Sequence, residues 1–138
     1  MGNEGYDKFV RVYAENSFKK PQNYFNYSLY YFEVKCTLEK ELNGSRLYMS
    51  FGLRNCSTSK NIYYSAKYGK INNEKDDEFK LPTFSWKNND IFGCGLVYPP
   101  TNKMNEFPYV FFTQNGKQIG KGVLLNDNFD SYKPRVYL

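Results

Sequence analysis

Between Tyr30 and Thr37 the chain alternates. Phe32, Val34 and Cys36 fall on one side, and Tyr31, Glu33 and Lys35 on the other. A period of two is that of a strand with one face against a core. Phe9–Ala14 repeats the pattern, with Val10 and Val12 set against Arg11 and Tyr13. Arg46–Leu53 and Ile62–Ser65 predict two more strands; the turn residues Leu42–Ser45 precede the first, and a polar loop from Arg54 to Asn61 separates the pair. Residues 69–78, charged and Asn-rich, predict an exposed connection. Phe92–Val97 reads as a core strand, and its Gly93 and Gly95 imply close backbone approach or a bulge. The sharpest local signal is Tyr109–Gln114, then Asn115-Gly116, then Lys117–Gly120, because Asn-Gly accepts the positive φ values of a type I′ hairpin turn. Val123–Leu125 and Arg135–Leu138 supply further strands. Many short strands between turn residues, with no sustained helical period, predict an all-β sandwich or barrel.

Composition supports strands. Aromatic residues make up 20% of the chain, with 14 Tyr and 12 Phe, types that fit a pleated and half-buried surface. At 138 residues, one domain spanning 1–138 is the natural expectation. The net charge of +5 is spread along the chain and interrupted by Glu74-Lys75-Asp76-Asp77-Glu78, a pattern that solubility explains. Cys36, Cys56 and Cys94 are far apart and odd in number, which suggests reduced, buried thiols and a reducing or redox-indifferent compartment. The chain has no apolar membrane run and opens on polar residues without a signal-peptide stretch. Met1-Gly2 departs from a myristoylation start, because Tyr6 stands where Ser or Thr is needed.

Catalysis finds little to work with. With no histidine, the commonest general base and any Ser-His or Cys-His pair are absent, and so is an ordinary zinc site. The 74–78 acidic run lacks the EF-hand order of ligands, and the glycines of Gly93-Cys94-Gly95 lie within a strand rather than before a helix. No cofactor is expected. Residues 107–114 superficially echo an RNA-recognition strand but lack its basic residue and glycine, so nucleic acid ranks below a protein partner.

Several blocks in order resemble the SPRY domain. Residues 30–35 (YYFEVK) are similar to the family's "YYEV" strand, and 10–14 (VRVYA) to the "SVRA" strand before it. Residues 49–53 (MSFGL) look like the strand that follows. PTFSWKNNDIFGCGLVY (82–98) resembles the "PTF…GDVIGCGID" block, FFTQNGKQIG (111–120) the "FFTKNGKFLG" hairpin, and YKPRVYL (132–138) the "YPTVGL" strand. The ordered set covers nearly the whole chain, and the GCG-to-NGK pairing is its most specific part. Residues 98–121 look in particular like the SPRY proteins that plant-parasitic nematodes secrete as effectors.

The resemblance implies a bent β-sandwich of two antiparallel sheets, non-catalytic, of the kind that serves as a recognition head in ubiquitin-ligase adaptors, scaffolds and immune factors. It implies a peptide or loop of a partner protein lying across the loops at one end, and action in the cytoplasm or nucleus, within a host cell if a leader has been removed. By alignment order, three loops belong to that end: Glu15–Gln22, Arg54–Tyr64 and Tyr64–Lys70. Arg54, Asn55, Tyr63, Tyr64 and Tyr68 are the candidate partner-binding residues, being planar or aromatic with little rotamer entropy to lose. The three tyrosines could equally close the end of the core, and Trp86 is better read as core. Pro99, Pro100 and residues 101–108 lengthen a loop relative to the family. The usual first and last strands are lacking, which leaves a fragment or a trimmed and compensated fold. Two other readings stay open: a nucleic-acid or anionic-surface binder, from charge and aromatic content, and a carbohydrate-binding sandwich, since exposed Tyr and Trp stack on sugars.

Overall fold

A computed structural model describes residues 11–13, 18–21, 25–35, 49–66, 68–81, 85, 87, 89–103, 105–125 and 131–137. Eleven strands and no helix occur among them: β1 (Arg11–Tyr13), β2 (Phe18–Lys19), β3 (Ser28–Lys35), β4 (Ser50–Asn55), β5 (Asn61–Ser65), β6 (Lys70–Asn72), β7 (Glu78–Lys80), β8 (Ile91–Tyr98), β9 (Tyr109–Gln114), β10 (Lys117–Leu124) and β11 (Ser131–Tyr137). They form two antiparallel sheets. The larger has the order β1-β11-β4-β5-β6-β7, with β2 also beside β11, and the smaller the order β10-β9-β8-β3. The all-β, two-sheet expectation holds.

Alternation builds the core. Phe51 and Leu53 of β4, Ile62 and Tyr64 of β5, Ile71 of β6 and Tyr132 of β11 face Phe92, Cys94 and Leu96 of β8 and Val110 and Phe112 of β9. Phe51 sits at the centre, its ring centroid 5.6 Å from those of both Phe92 and Phe112 and 5.3 Å from that of Tyr64. Aromatic pairs of this kind add about 0.5–1.5 kcal/mol each beyond the area they bury.

The glycines of β8 point the other way. A Cβ at Gly93 would collide with the Tyr31 hydroxyl and Thr113 Oγ1, and one at Gly95 with the Phe111 ring. The close approach expected at these glycines is therefore made by side chains of β3 and β9, which lie across β8. The 109–120 hairpin forms as expected, with φ of 51° at Asn115 and 82° at Gly116. Asn115 Oδ1 accepts from the Ile91 N–H at 2.9 Å, and Asn115 N–H donates to the Ile91 carbonyl at 2.7 Å, so the turn is tied to the start of β8.

Three expectations change. Residues 69–78 are not simply connection, since β6 lies within them and β7 begins at Glu78. A three-residue strand turns only one side chain inward, here Ile71, and so shows no period. Lys117–Gly120 and Val123–Leu125 are not separate strands either. Lys117–Gly120, Val123 and Leu124 all belong to β10, with Leu125 just past its end; the register of β10 against β9 shifts between Ile119 and Val123, with Gly120 at φ 68°. That is a bulge. Phe18–Lys19, within the expected 15–22 loop, is strand paired to Ser131 and Tyr132. The 42–45 turn, Cys36, Trp86 and residues 46–48 lie outside the described residues.

Pro134 sits inside β11, between β4 on one side and β1 and β2 on the other. The Ser131 carbonyl accepts from Cys56 N–H at 3.1 Å, so the odd-numbered residues of β11 turn their hydrogen-bonding groups toward β4. Pro134 then turns toward the opposite edge, where pairing with β2 ends at Tyr132 and pairing with β1 begins at Arg135. Among the described residues the missing N–H therefore interrupts no rung of the ladder.

Candidate functional site

The registers bring to one end of the sandwich the 56–60 loop between β4 and β5, the 73–77 loop between β6 and β7, the 99–108 loop between β8 and β9, and the end of β10. Both short loops are held by asparagines. Asn55 Oδ1 accepts from Ser57 N–H at 2.9 Å and Thr58 N–H at 3.3 Å, folding the chain back toward β5, with Ser59 at φ 63°. Asn73 Oδ1 accepts from the N–H groups of Lys75 and Asp77, both at 2.9 Å. Glu74 joins the two loops: its Oε1 accepts from Tyr132 Oη–H at 3.0 Å and from Asn55 Nδ2 at 3.4 Å. Burial pushes the Tyr132 hydroxyl pKa up, and the Glu74 charge adds to it, so this donor keeps its proton at physiological pH.

Two cavities flank this junction. One, of about 210 Å³, lies at the sandwich end on a floor of Ile62, Val123, Leu125 and Tyr132. The other, of about 540 Å³, opens on the outer face of the larger sheet and is lined by Ser50, Asn61, Tyr63, Arg135 and Tyr137. Lys60, Glu74 and Lys75 border both. Arg135 is 2% exposed as a residue; its guanidinium lies 4.7 Å from the Tyr63 ring centre and 3.7 Å from that of Tyr137, and donates from Nη1 to Ser50 Oγ at 3.0 Å. Planar stacking of this kind suits Arg rather than Lys. Asn61 Oδ1 is buried at the edge of this cavity with no hydrogen-bond partner among the described residues.

The five residues singled out from the sequence do not form one surface. Tyr63 lines the larger cavity, and Arg54 is half-buried on the same outer face, paired in register with Asn61 and Lys133. Asn55 and Tyr64 are fully buried. The expectation that they touch a partner is corrected: Asn55 shapes its loop from within, and Tyr64 packs against Phe51, Phe92 and Phe112. Tyr63 and Tyr64 are strand neighbours, so only one can face outward. Tyr68 is exposed, with Lys70 Nζ 4.9 Å from its ring centre, but it sits at the opposite end, beyond the five residues of β5. The 64–70 loop therefore does not join the 54–64 loop. Of the 15–22 loop, 15–17 and 22 lie outside the described residues; Phe18 stacks on Tyr30 at 4.9 Å, and Tyr30 Oη–H donates to the Lys19 carbonyl at 2.9 Å. The 99–108 loop contributes Pro99, Pro100 and Pro108 to a third cavity of about 270 Å³ beside Lys20 and Pro21.

Arg135, Tyr137, Glu74 and Lys75 were not singled out from the sequence. The spacing of Arg135 and Tyr137, two apart in a strand, places them on one face, and that was the available signal. Among the described residues no three His, Cys, Asp or Glu side chains converge as metal ligands. Cys94 is buried and Cys56 exposed, both free thiols, and burial pushes the Cys94 pKa up, away from thiolate chemistry.

Against known proteins, the chain matches no protein-family model and no curated protein. Solved structures do match. A human SPRY domain superposes with a TM-score of 0.57 at 20% identity, over 96% of this chain and 91% of that one. The SPRY domain of human HERC1 superposes with a TM-score of 0.60 at 15% identity, over 97% of this chain and 77% of that one. With its two antiparallel sheets in register as described, the chain has the SPRY-domain fold.

Proposed function

We propose that the chain is a non-catalytic protein-interaction module that grips a peptide or loop of a partner at the end formed by residues 54–63 and 73–77. The observation that carries this reading is the pair of adjoining cavities, about 210 and 540 Å³, that share Lys60, Glu74 and Lys75. The first offers an apolar floor for one side chain. The second offers the edges of Tyr63 and Tyr137 and two lysines for the polar parts of a segment. The loops around them are pinned by Asn55, Asn73 and Glu74, so little ordering entropy is lost on binding. Aromatic and basic groups over a rigid frame are typical anchors of protein recognition.

Selecting peptides on the immobilised chain by display, then titrating a selected peptide into ¹⁵N-labelled protein, tests this. The amide shifts should concentrate in residues 54–63, 73–77 and 135–137. Shifts confined to the opposite end, at residues 66–70 and 115–117, would refute the assignment.

A further inference from the structure

The end strand of the larger sheet has a pattern of its own. β7 closes that sheet and, among the described residues, pairs with β6 alone. Its three residues, Glu78, Phe79 and Lys80, are all exposed. Phe79 stands opposite Ile71 and shares its inward side, yet Ile71 is buried and Phe79 is 49% exposed. Gly120 of β10 packs under Ile71 and Leu81, and β7 overhangs it. Hydrogen bonds fix which main-chain groups face the open edge. Asn73 N–H donates to the Asp77 carbonyl at 3.1 Å, and Leu81 N–H to the Gly69 carbonyl at 2.9 Å. Asp77, Phe79 and Leu81 therefore turn their main-chain groups toward β6, and Glu78 and Lys80 turn theirs outward.

A charged edge ordinarily repels a second strand. The order acid, aromatic, base does the opposite for one strand, a second copy of β7. A two-fold axis through Phe79, perpendicular to the sheet, sets the two copies antiparallel, with Glu78 of each opposite Lys80 of the other. These are the residues whose N–H and C=O groups point outward, so each such pair exchanges both main-chain hydrogen bonds. The two Phe79 side chains meet between them, at the closer, non-hydrogen-bonded position. Within one chain Lys80 stands directly opposite Lys70, while Lys70 Nζ reaches Glu78 diagonally at 2.7 Å. Like charges directly opposite are unfavourable, and Glu78 of the second copy offsets them. The other charges nearby are not set against their like. Asp77, bound by Asn73 Nδ2 at 3.1 Å, comes opposite Leu81, and residues 81–86 are uncharged. Lys121 follows Gly120 on the Leu81 side, so the Lys121 residues of the two copies fall on opposite sides of the axis. We infer that β7 is a self-association edge, through which two copies join their larger sheets into one continuous antiparallel sheet. Three residues a side bury little area, so the dimer is weak and forms at high concentration.

Sedimentation equilibrium of the full chain over about 10 μM to 1 mM tests the inference. A monomer–dimer equilibrium is expected. Glu78→Lys and Lys80→Glu should each weaken self-association at least about tenfold. An equimolar mixture of those two variants should associate again, because each supplies the charge the other lacks, which a non-specific aggregate would not show. Lys80→Pro should weaken association too, with thermal unfolding close to that of the parent, since the lost N–H faces the open edge and not β6. A chain that stays monomeric throughout would overturn the inference. So would an association indifferent to Lys80→Pro, or charge-reversed variants that do not associate on mixing.

Discussion

The guanidinium carbon of Arg135 stands 3.7 Å from the ring centre of Tyr137, with Tyr63 on another side at 4.7 Å and Ser50 Oγ accepting at 3.0 Å. Three strands meet in that cluster. Because β11 pairs Arg135 with Gly52, and Gly52 pairs with Tyr63 on β5, the long side chain crosses β4 at a residue that has no side chain of its own. Arg135→Lys keeps the charge but loses the planar stacking and the fixed fork. We expect a loss of about 1–3 kcal/mol, as for a desolvated cation–π contact together with a charged hydrogen bond. Urea unfolding of the two proteins, with equal m-values, measures it.

Gly52 and Gly116 are expected to respond differently to alanine. A Cβ at Gly52 would strike the backbone, colliding with the Ile62 carbonyl oxygen and reaching 2.8 Å from Tyr63 Cα, and backbone in a paired strand cannot step aside. Gly52→Ala should cost about 3 kcal/mol or more, the upper range of overpacking. At Gly116 nothing lies within 4 Å, and only the φ of 82° opposes a side chain. Gly116→Ala should cost about 1–2 kcal/mol. Thermal unfolding of both variants checks the order; equal losses would mean that β4 and β5 can separate.

Acid should loosen the hairpin anchor. Asp90 accepts from Asn115 Nδ2 at 3.0 Å, Gln114 Nε2 at 3.0 Å and Lys87 N–H at 2.7 Å. These bonds, the Asn115 one foremost, hold its carboxyl pKa below the ordinary value of 3.8. A folded pKa below the unfolded one means a contribution fully present above about pH 4 and lost as pH falls through the depressed value. Stability measured between about pH 5 and pH 2 should therefore fall less steeply in Asp90→Asn than in the parent. Parallel curves would remove Asp90 from the acid response.

The parts of this fold that were legible in the sequence are local ones. Asn115-Gly116 fixes its own turn through backbone conformation, and Phe32 and Val34 mark the inward side of β3 by simple alternation. The phase of β5 was also readable, since Ile62 and Tyr64 share it and Tyr63 does not; taking the tyrosines as a group hid that Tyr64 is core. What could not be read depends on register between distant strands. Nothing near Arg135 announces Tyr63, because they meet only through the pairing of β11, β4 and β5. For the same reason Tyr68 was grouped with Arg54, although β5 separates them by about 16 Å of extended chain. Short β6 and β7, three residues each, offer too few positions for a period to show.

The central claim is that one end of the sandwich, and not the other, holds a partner. The most direct measurement is calorimetric titration of a display-selected peptide into the parent chain, Tyr63→Ala and Tyr68→Ala. Tyr63→Ala should weaken binding by at least about tenfold, the loss of one aromatic anchor, while Tyr68→Ala leaves it unchanged. Binding that survives Tyr63→Ala intact and collapses in Tyr68→Ala would contradict the account.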